Sequence, residues 1–418
     1  MMTRFRNFAT VIITIIFVLL PTGGLCRDLI TPMDSVRPMA SPDPVFPGTI
    51  YHGRIPPSHH NPRPVNFTSR RLPLMDNFFN YYRGWIGGDA IYSAPLPDGS
   101  ILWLFGDTLI GTIRDGKRSP DTIMVNNTIA IQKGTDPATA RITTYARQDE
   151  EGRWQSVFTP PHGDDFFWIY DGILAPDGLY IFLIQIHVTD KDQAFGFHSA
   201  GTAVARIDNP QDPPDKWRTT LRKIPFGTFV PGGETFFGSA ALIWENHMYI
   251  YGITEETGEG YHRKYMITAR VPADDPLDYE KWRFYDGNDW SKDFQNAKRL
   301  ADDFANEYTV SYNEFLKQFI VVYTRAGNSP DICLRMSPAP WGPWSDPVVL
   351  YRCPEEAMGP GLLIYAGKHH PVASSDDDTL IISYVTNLFT LPELLNDARW
   401  YWPRFLQVKL TPADKPAE

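Results

Sequence analysis

The chain has 418 residues, of which 43% are hydrophobic, so it can bury a large core. Its 31 Gly and 37 Pro are typical of a fold with many strands joined by turns. The formal net charge is −10 and no basic run occurs, which excludes nucleic acid as a partner.

The start of the chain has the features of a secretory signal peptide over residues 1–26. Arg4 and Arg6 precede an apolar stretch at residues 11–20, and helix breakers follow it. The stretch is short for a membrane span, although an uncleaved anchor and a lipid on Cys26 are open alternatives. We therefore expect a secreted or cell-envelope protein with no membrane span after cleavage.

A β-like run recurs five times, with starts about 60 to 80 residues apart. Each run follows a turn and has further β-like segments around it. Four strands in each of five repeats predict an all-β fold, a five-bladed β-propeller with four-stranded blades, over residues 81–418. Two β-sandwich domains are the alternative. Residues 27–80 are expected to be an irregular N-terminal arm, and residues 391–398 a short helix in the last repeat. The five runs are Ile101–Phe105, Leu179–Ile184, Met248–Ile253, Phe319–Tyr323 and Leu380–Val385.

Two aspartates lie equally far from one hairpin turn, Pro97-Asp98-Gly99. Asp89 precedes Asp98 by nine residues, and Asp107 follows it by nine. In a regular hairpin the two residues would face each other on the same side of the strand pair. Because like charges directly opposite each other destabilise a sheet, this pairing indicates a functional role.

A pair of carboxyl groups is what glycosidic bond cleavage requires. One protonated carboxyl assists the leaving oxygen, while an ionised one attacks the anomeric carbon or activates water. We predict Asp89 and Asp107 as the catalytic pair, with their order unassigned. Facing residues have Cβ atoms about 4.5–5.5 Å apart, which favours the retaining course.

Other polar and aromatic residues are predicted to line the channel mouth because they lie near the start of a predicted inner strand. Asn126 and Asn127 could brace Asp107. The predicted substrate-binding residues are Glu234, Asp171, Glu307, Asn127, Trp85 and His369.

No tight metal-ligand spacing and no Gly-rich phosphate loop occurs, so no metal or cofactor is expected. A structural cation at the propeller axis is left open. Cys333 and Cys353 are the only pair available for a disulfide if Cys26 is lost or modified. The chain is expected to be a monomer with a polysaccharide or oligosaccharide substrate.

Four stretches carry a resemblance to a known family: Trp85-Ile86-Gly87-Gly88-Asp89, Leu96-Pro97-Asp98-Gly99, residues 102–108 and Met124-Val125-Asn126-Asn127. Here the chain resembles the DUF4185 group, which is related to glycoside hydrolase family 183. These are secreted five-bladed propellers that include endo-D-arabinanases. Residues 338–345 are similar to a blade motif that is shared widely among glycosidase propellers. The resemblance implies an acid pair at Asp89 and Asp107 that acts on an arabinan.

The sequence thus predicts a secreted glycoside hydrolase that cleaves furanoside linkages in an arabinan-type polysaccharide. The alternatives are a non-catalytic glycan-binding propeller, a scaffold or adhesion protein, and a hydrolase of another furanoside such as L-arabinan or fructan.

Overall fold

A computed structural model describes residues 29–36, 49–57, 64–190, 196–359, 361–374 and 376–413. The predicted signal peptide and Cys26 lie outside these residues. The described residues contain 29 strands and two short α-helices, α1 (Pro73–Asp76) and α2 (Leu391–Asn396). The predicted short helix in the last repeat is thereby confirmed. No helix in these ranges is long and apolar enough to cross a membrane.

The strands of the first half of the chain are short and irregularly spaced. They are β1 (Leu29–Pro32), β2 (Tyr51–Ile55), β3 (Val65–Arg71), β4 (Arg83–Gly88), β5 (Tyr92–Pro95), β6 (Ile101–Phe105), β7 (Thr108–Arg114), β8 (Lys117–Arg118), β9 (Ile123–Val125), β10 (Thr128–Lys133), β11 (Arg141–Gln148) and β12 (Trp154–Gln155).

The strands that follow are mostly longer. They are β13 (Phe166–Ala175), β14 (Gly178–Val188), β15 (Phe197–Ile207), β16 (Thr219–Ile224), β17 (Gly227–Thr228), β18 (Thr235–Trp244), β19 (His247–Gly258), β20 (Tyr261–Pro272), β21 (Arg283–Tyr285), β22 (Trp290–Ser291), β23 (Tyr308–Asn313), β24 (Gln318–Thr324), β25 (Asp331–Ser337), β26 (Val348–Arg352), β27 (Leu362–His369), β28 (Thr379–Leu388) and β29 (Pro403–Pro412).

Within the described residues these strands form five larger antiparallel sheets and one small sheet. The first sheet has the order β1-β11-β10-β6-β5, with β12 on β11; the second is β13-β14-β15-β16, and the third runs from β17 to β22. The fourth is β23-β24-β25-β26, and the fifth is β2-β3-β29-β28-β27. The small sheet is β4-β7-β8, with β9 on β7. The protein is therefore all-β with few helices, as predicted.

Each of the five repeated runs lies in β6, β14, β19, β24 or β28, and each of these strands pairs with β5, β13, β18, β23 or β27. Four of these five partner strands are sheet edges, whereas the two-residue strand β17 pairs with β18. The partner strands contact one another in sequence. Hydrogen bonds from Lys368 on β27 to the Ala90 carbonyl, and between Ser93 and His370, connect the last of them to the first. The apolar core lies between neighbouring sheets, because both faces of each central strand are buried.

The described part of residues 27–80 is not the irregular arm that was expected. Strand β3 pairs with β29 from Arg71↔Leu406 to Val65↔Pro412, and β2 pairs with β3. Strand β1 pairs with β11 of the first sheet. These strands alternate buried and exposed side chains, so the region completes two sheets of the same structure as residues 81–418.

The proposed disulfide is also wrong, since Cys333 and Cys353 are both free and buried. Cys333 pairs with Val349 across β25 and β26, whereas Cys353 lies beyond the end of β26. Cys333 packs into the cluster that contains Tyr323, and Cys353 packs into a different cluster with Tyr351. The two thiols therefore point to opposite faces of the fourth sheet.

Candidate active site

Asp89 and Asp107 face each other across one long hairpin. Strands β5 and β6 pair in the register Tyr92↔Leu104, which continues to place Asp89 opposite Asp107. The Asp89 amide donates to the Asp107 carbonyl at 3.2 Å, and the Gly106 amide donates to the Asp89 carbonyl at 3.0 Å. The pairing is the one expected from the nine-residue spacing, although the hairpin is irregular here. Beyond the aspartates it continues as the β4–β7 pair of the small sheet.

Glycine precedes each aspartate because the backbones approach closely. A Cβ at Gly106 would lie 2.6 Å from Asp89 Oδ1, and one at Gly87 would lie 2.8 Å from the Tyr401 carbonyl oxygen. Gly87 also has φ +144°, which side-chain-bearing residues rarely adopt. The glycine directly before each aspartate is therefore a steric requirement of the acid pair, because a Cβ at Gly88 or Gly106 would lie too close to a neighbouring atom.

Backbone strain is concentrated around this hairpin. Ala90 and Ile91, directly after Asp89, have φ of 63° and 57°, and Ala366 and Tyr401 have φ of 60° and 74°. A left-handed conformation is costly for a residue with a Cβ, above all for β-branched Ile. Such strain persists only where surrounding packing enforces it, and it clusters at functional sites.

The Asp107 carboxylate accepts two N–H donors. Trp168 Nε1 lies 2.7 Å and Asn126 Nδ2 lies 3.1 Å from its Oδ1. Burial raises the pKa of Asp107 to about 6, while these two hydrogen bonds act in the opposite direction. Because N–H donors favour the charged form, Asp107 is the member of the pair that ionises first. The expected bracing of Asp107 by Asn126 is confirmed.

Asp89 has a different environment. Its Oδ2 accepts the Tyr365 hydroxyl at 2.7 Å, and Tyr365 in turn accepts the Asn387 amide at 3.1 Å. Burial, the Asp107 charge and the Glu307 charge together raise the pKa of Asp89 well above its usual range. Asp89 therefore keeps its proton when Asp107 has lost its own.

A buried ion pair lies beside Asp89. Lys368 Nζ is 2.6 Å from Glu307 Oε2, and the Lys368 side chain is fully buried. Lys368 also donates to the Ala90 carbonyl and lies 4.4 Å from the centre of the Tyr92 ring. Burial lowers the pKa of Lys368, and the Glu307 charge opposes this change. The ammonium group thus holds both the strained turn after Asp89 and the third carboxylate of the site.

A pocket of about 400 Å³ opens over the acid pair. Its residues come from the first, second and fifth sheets, from the turn after β24 and from α2. Trp168 and Phe197 form one aromatic corner, with ring centres 5.0 Å apart. The lining residues are Asp89, Asp107, Met124, Trp168, Phe197, Gly327, Asn328, Leu363, Tyr365, Asn387, Leu388, Phe389, Thr390, Leu391, Leu394 and Tyr401. A volume of this size is within the range of small-molecule sites.

Three predicted substrate-binding residues are buried away from this pocket. Trp85 has no exposed surface and donates to Thr128 Oγ1 at 3.2 Å. Asn127, also without exposed surface, donates to the carbonyls of Phe158 and Phe167. Trp85 therefore joins the small sheet to the first sheet, and Asn127, just before β10, joins the first sheet to the second, so their predicted contact with substrate is wrong.

His369 is the third of these buried residues, with 5% of its surface exposed. Its Nδ1 forms a hydrogen bond with Ser311 Oγ at 3.1 Å, and burial lowers its pKa to about 3. It therefore stays neutral and links the fourth and fifth sheets, and its prediction as a binding residue is wrong.

The remaining predicted acids lie around the pocket but do not line it. Asp171 accepts the amides of Gly172 and Ala241, each at 2.9 Å, so it connects the second sheet to the third. Burial raises its pKa to about 7. Glu234 is buried near Glu255, and burial raises its pKa too. Glu307 acts through Asp89 and Lys368, as described above.

Sequence reasoning missed Tyr365, Tyr401 and Lys368. The Tyr401 hydroxyl donates to the Asp107 carbonyl at 3.0 Å. The only available signal was a lysine within the predicted inner strand before His369, where an apolar residue is usual. Within the ranges that the structure covers, no three His, Cys, Asp or Glu side chains are grouped so that they could hold a metal ion.

A family model described as "Domain of unknown function (DUF5005)" matches residues 74–410. The expected resemblance to the DUF4185 group is therefore wrong, and with it the relation to glycoside hydrolase family 183. The motifs that carried it are glycine-flanked acids and a tight turn, which the backbone of any such hairpin requires. No curated protein matches the chain.

A solved structure of low sequence identity has the same fold, and two others are more distant. A "putative hydrolase from Bacteroides ovatus ATCC 8483" has a TM-score of 0.64 and 19% identity, covering 82% of this chain and 90% of its own. The GH43_1 enzyme from Xanthomonas citri complexed with xylotriose has a TM-score of 0.44 and 14% identity, covering 79% of this chain and 89% of its own. The α-L-arabinofuranosidase from Podospora anserina in complex with cellotriose has a TM-score of 0.43 and 10% identity, covering 79% of this chain and 93% of its own. The last two likenesses are too distant to support an argument about this chain.

Proposed function

The chain belongs to the DUF5005 family, and we propose that it is a glycoside hydrolase in which Asp89 and Asp107 cleave the glycosidic bond. One observation carries the proposal: two carboxyl groups with unequal surroundings face each other in one pocket. Environments that push the pKa values of two acids apart define a general acid and its ionised partner. The description of the Bacteroides ovatus protein as a hydrolase is compatible with this proposal.

Asp89 is the general acid in this mechanism. It gives its proton to the oxygen that links the sugar to its leaving group, and that C–O bond breaks. Asp107, ionised and fixed by Trp168 and Asn126, stabilises the positive charge that develops at the anomeric carbon. It then either bonds to that carbon or takes a proton from the attacking water.

The substrate class of the proposal is furanosides of the arabinan type. A pocket of about 400 Å³ suits one sugar unit with part of its neighbour, and Trp168, Phe197 and Tyr365 offer rings for sugar faces. Endo-D-arabinanase activity depended on the family resemblance that proved wrong, so it is not part of the proposal.

Two further elements complete the proposal. The first to fifth sheets are the blades of a five-bladed propeller, since their strands β5, β13, β18, β23 and β27 contact one another in a ring. Of these five sheets, the second and fourth have four strands, and the other three carry additional ones. The chain is exported, as the basic and apolar residues of its first 26 positions indicate, and it acts as a monomer.

Incubation of the purified protein with arabinans, arabinofuranosides and other furanoside polymers tests the proposal. We expect released sugars, and a roughly 10²- to 10⁴-fold lower rate for Asp89→Asn and Asp107→Asn. Asp98→Asn, in the exposed turn of the same hairpin, is the matched control and should keep full activity. Undiminished activity in both site variants would remove the assignment. Glycan binding without turnover, unchanged in both variants, would favour a binding protein.

A further inference from the structure

One wall of the pocket is apolar. Leu363, Leu388, Phe389, Leu391 and Leu394 line it together, from the fifth sheet and α2. Phe389 remains 42% exposed, although it lies next to charged groups. Water wets this surface when the pocket is empty, so an apolar ligand group gains free energy by covering it.

Leu363 and Leu388 of this wall lie beside the residues that hold Asp89, whereas Met124 is the apolar lining residue near Asn126, a donor to Asp107. Tyr365, which donates to Asp89, lies on β27, and Asn387, which donates to Tyr365, lies on β28. Leu363 pairs with Asn387 in the same two strands. The side-chain donors to Asp107, Trp168 and Asn126, come instead from the second and first sheets.

From this arrangement we propose that the leaving-group side of the pocket also accepts an apolar alcohol, so that alkyl and aryl arabinofuranosides are substrates beside the arabinans of the proposed function. The inference rests on the proposed function, in which Asp89 protonates the leaving oxygen. The group attached to that oxygen must therefore lie on the Asp89 side of the pocket, against Leu363, Leu388 and Phe389. The sugar occupies the Asp107 side, beside Trp168 and Phe197.

The reaction balances as an ordinary hydrolysis. The bond between the anomeric carbon and the leaving oxygen breaks, and the alcohol departs with the proton of Asp89. Water supplies a hydroxyl to the sugar and a proton that restores the acid. No oxidant or reductant takes part.

A series of methyl, butyl and hexyl arabinofuranosides tests the inference. We expect kcat/KM to rise roughly fourfold for each added methylene, the factor for burying that group, until the wall is covered. In the double variant Phe389→Ser with Leu391→Ser, the ratio of kcat/KM for the hexyl glycoside to that for the methyl glycoside should fall towards one. Leu74→Ser is the matched control, because Leu74 is 64% exposed on α1 and does not line the pocket.

Calorimetric titration of the same glycosides into Asp107→Asn separates this inference from the proposed function. Affinity that rises with chain length, without hydrolysis by the native protein, supports the apolar subsite and overturns the hydrolase. Hydrolysis that is indifferent to chain length overturns the apolar subsite and supports the hydrolase. If kcat/KM still rises with chain length in the double variant, the assignment of the apolar subsite to this wall is also overturned.

Discussion

Two buried clusters of charged side chains among the described residues differ in their balance of charge. The closing cluster joins Arg71 and Arg404 to Asp76 and Glu355 where β3 meets β29, with ion pairs of 2.6 to 3.4 Å. The acid cluster holds Asp89, Asp107 and Glu307 with only Lys368.

The closing cluster has as many cations as carboxylates, and the Tyr384 hydroxyl also donates to Glu355 at 2.9 Å. Each charge in it has an oppositely charged partner. The acid cluster has an excess of carboxyl groups, and burial together with the neighbouring carboxylates raises the pKa values of Asp89 and Asp107 and lowers stability. A fold tolerates such an excess where chemistry requires it, and a balanced cluster is explained by packing alone. The following variants test this contrast.

The largest effect is expected from Glu355→Gln in the closing cluster. It leaves two buried guanidinium groups with one carboxylate, and removing one partner of a buried pair costs about 3–5 kcal/mol of unfolding free energy. Urea unfolding measures this loss, while the turnover of the folded variant should be unchanged. Glu356→Gln is the control, since Glu356 is half exposed in its pair with Arg352 and is expected to cost about 0.5 kcal/mol. Equal losses in both variants would contradict a closing role for the cluster.

Asp107→Asn should instead stabilise the protein, and increasingly so as the pH rises. The folded carboxyl has its pKa raised to about 6, so the native protein retains a proton that the unfolded chain has already lost. The stability of the wild-type protein therefore falls between pH 4 and 6, by roughly 1.4 kcal/mol per unit of pKa difference, and the Asn variant avoids this fall.

Thermal unfolding of both proteins from pH 4 to 8 measures the gain, which should level off above the folded pKa. Asp98→Asn should lower stability by an amount that hardly changes over this range, because the Ser100 amide lowers the pKa of Asp98 and its stabilising charge is lost only as the pH falls below about 4. If the stability gained by Asp107→Asn does not grow with pH, the excess of carboxyl groups does not lower the stability of the native protein.

Lys368→Met should shift the pH dependence of turnover. Activity rises with pH as Asp107 ionises and falls as Asp89 loses its proton. Removing the buried cation makes the ionised form of Asp89 less favourable, so the upper limb should move to higher pH by about one unit. Lys264→Met, whose ammonium pairs with Glu255 at 2.9 Å, should leave this limb in place. A downward shift would mean that Lys368 does not act on the acid.

The sequence predicts the site residues that are close to one another along the chain, and it does not predict those that come from distant parts of the chain. Asp89, Asp107 and Asn126 belong to neighbouring strands of one region, so residue spacing and turn chemistry place them correctly. Tyr365 and Lys368 are more than 250 positions along the chain from Asp89 and reach it only because the fifth sheet lies beside the first. No periodicity within the chain encodes that approach.

Errors in the prediction have the same origin. Asn127 and Trp85 are close to the acids in sequence, but both face the core. Asn127 follows Asn126 directly and so points to the opposite face, and a bulge between Trp85 and Gly88 breaks the alternation that would place Trp85 on the face of Asp89. Residues 51–55 and 65–71 lack an obvious repeat of their own, and they are strands because β3 pairs with β29 at the other end of the chain and β2 pairs with β3. The all-β class was predictable because local alternation and turns determine it.

The smallest effect is expected from Gly106→Ala, which changes the geometry of the acid cluster without changing its charge. The added Cβ would lie 2.6 Å from Asp89 Oδ1, so the carboxyl must move away from the leaving oxygen. We expect kcat to fall about tenfold with little change in KM, since a small misplacement of a reacting group is costly. Gly99→Ala in the turn of the same hairpin meets no atom within 4 Å and has φ +80°, so it should lower stability and spare kcat. If both variants are less stable but keep the kcat of the native protein, the glycine before Asp107 serves folding. The close packing around Asp89 then has no part in turnover.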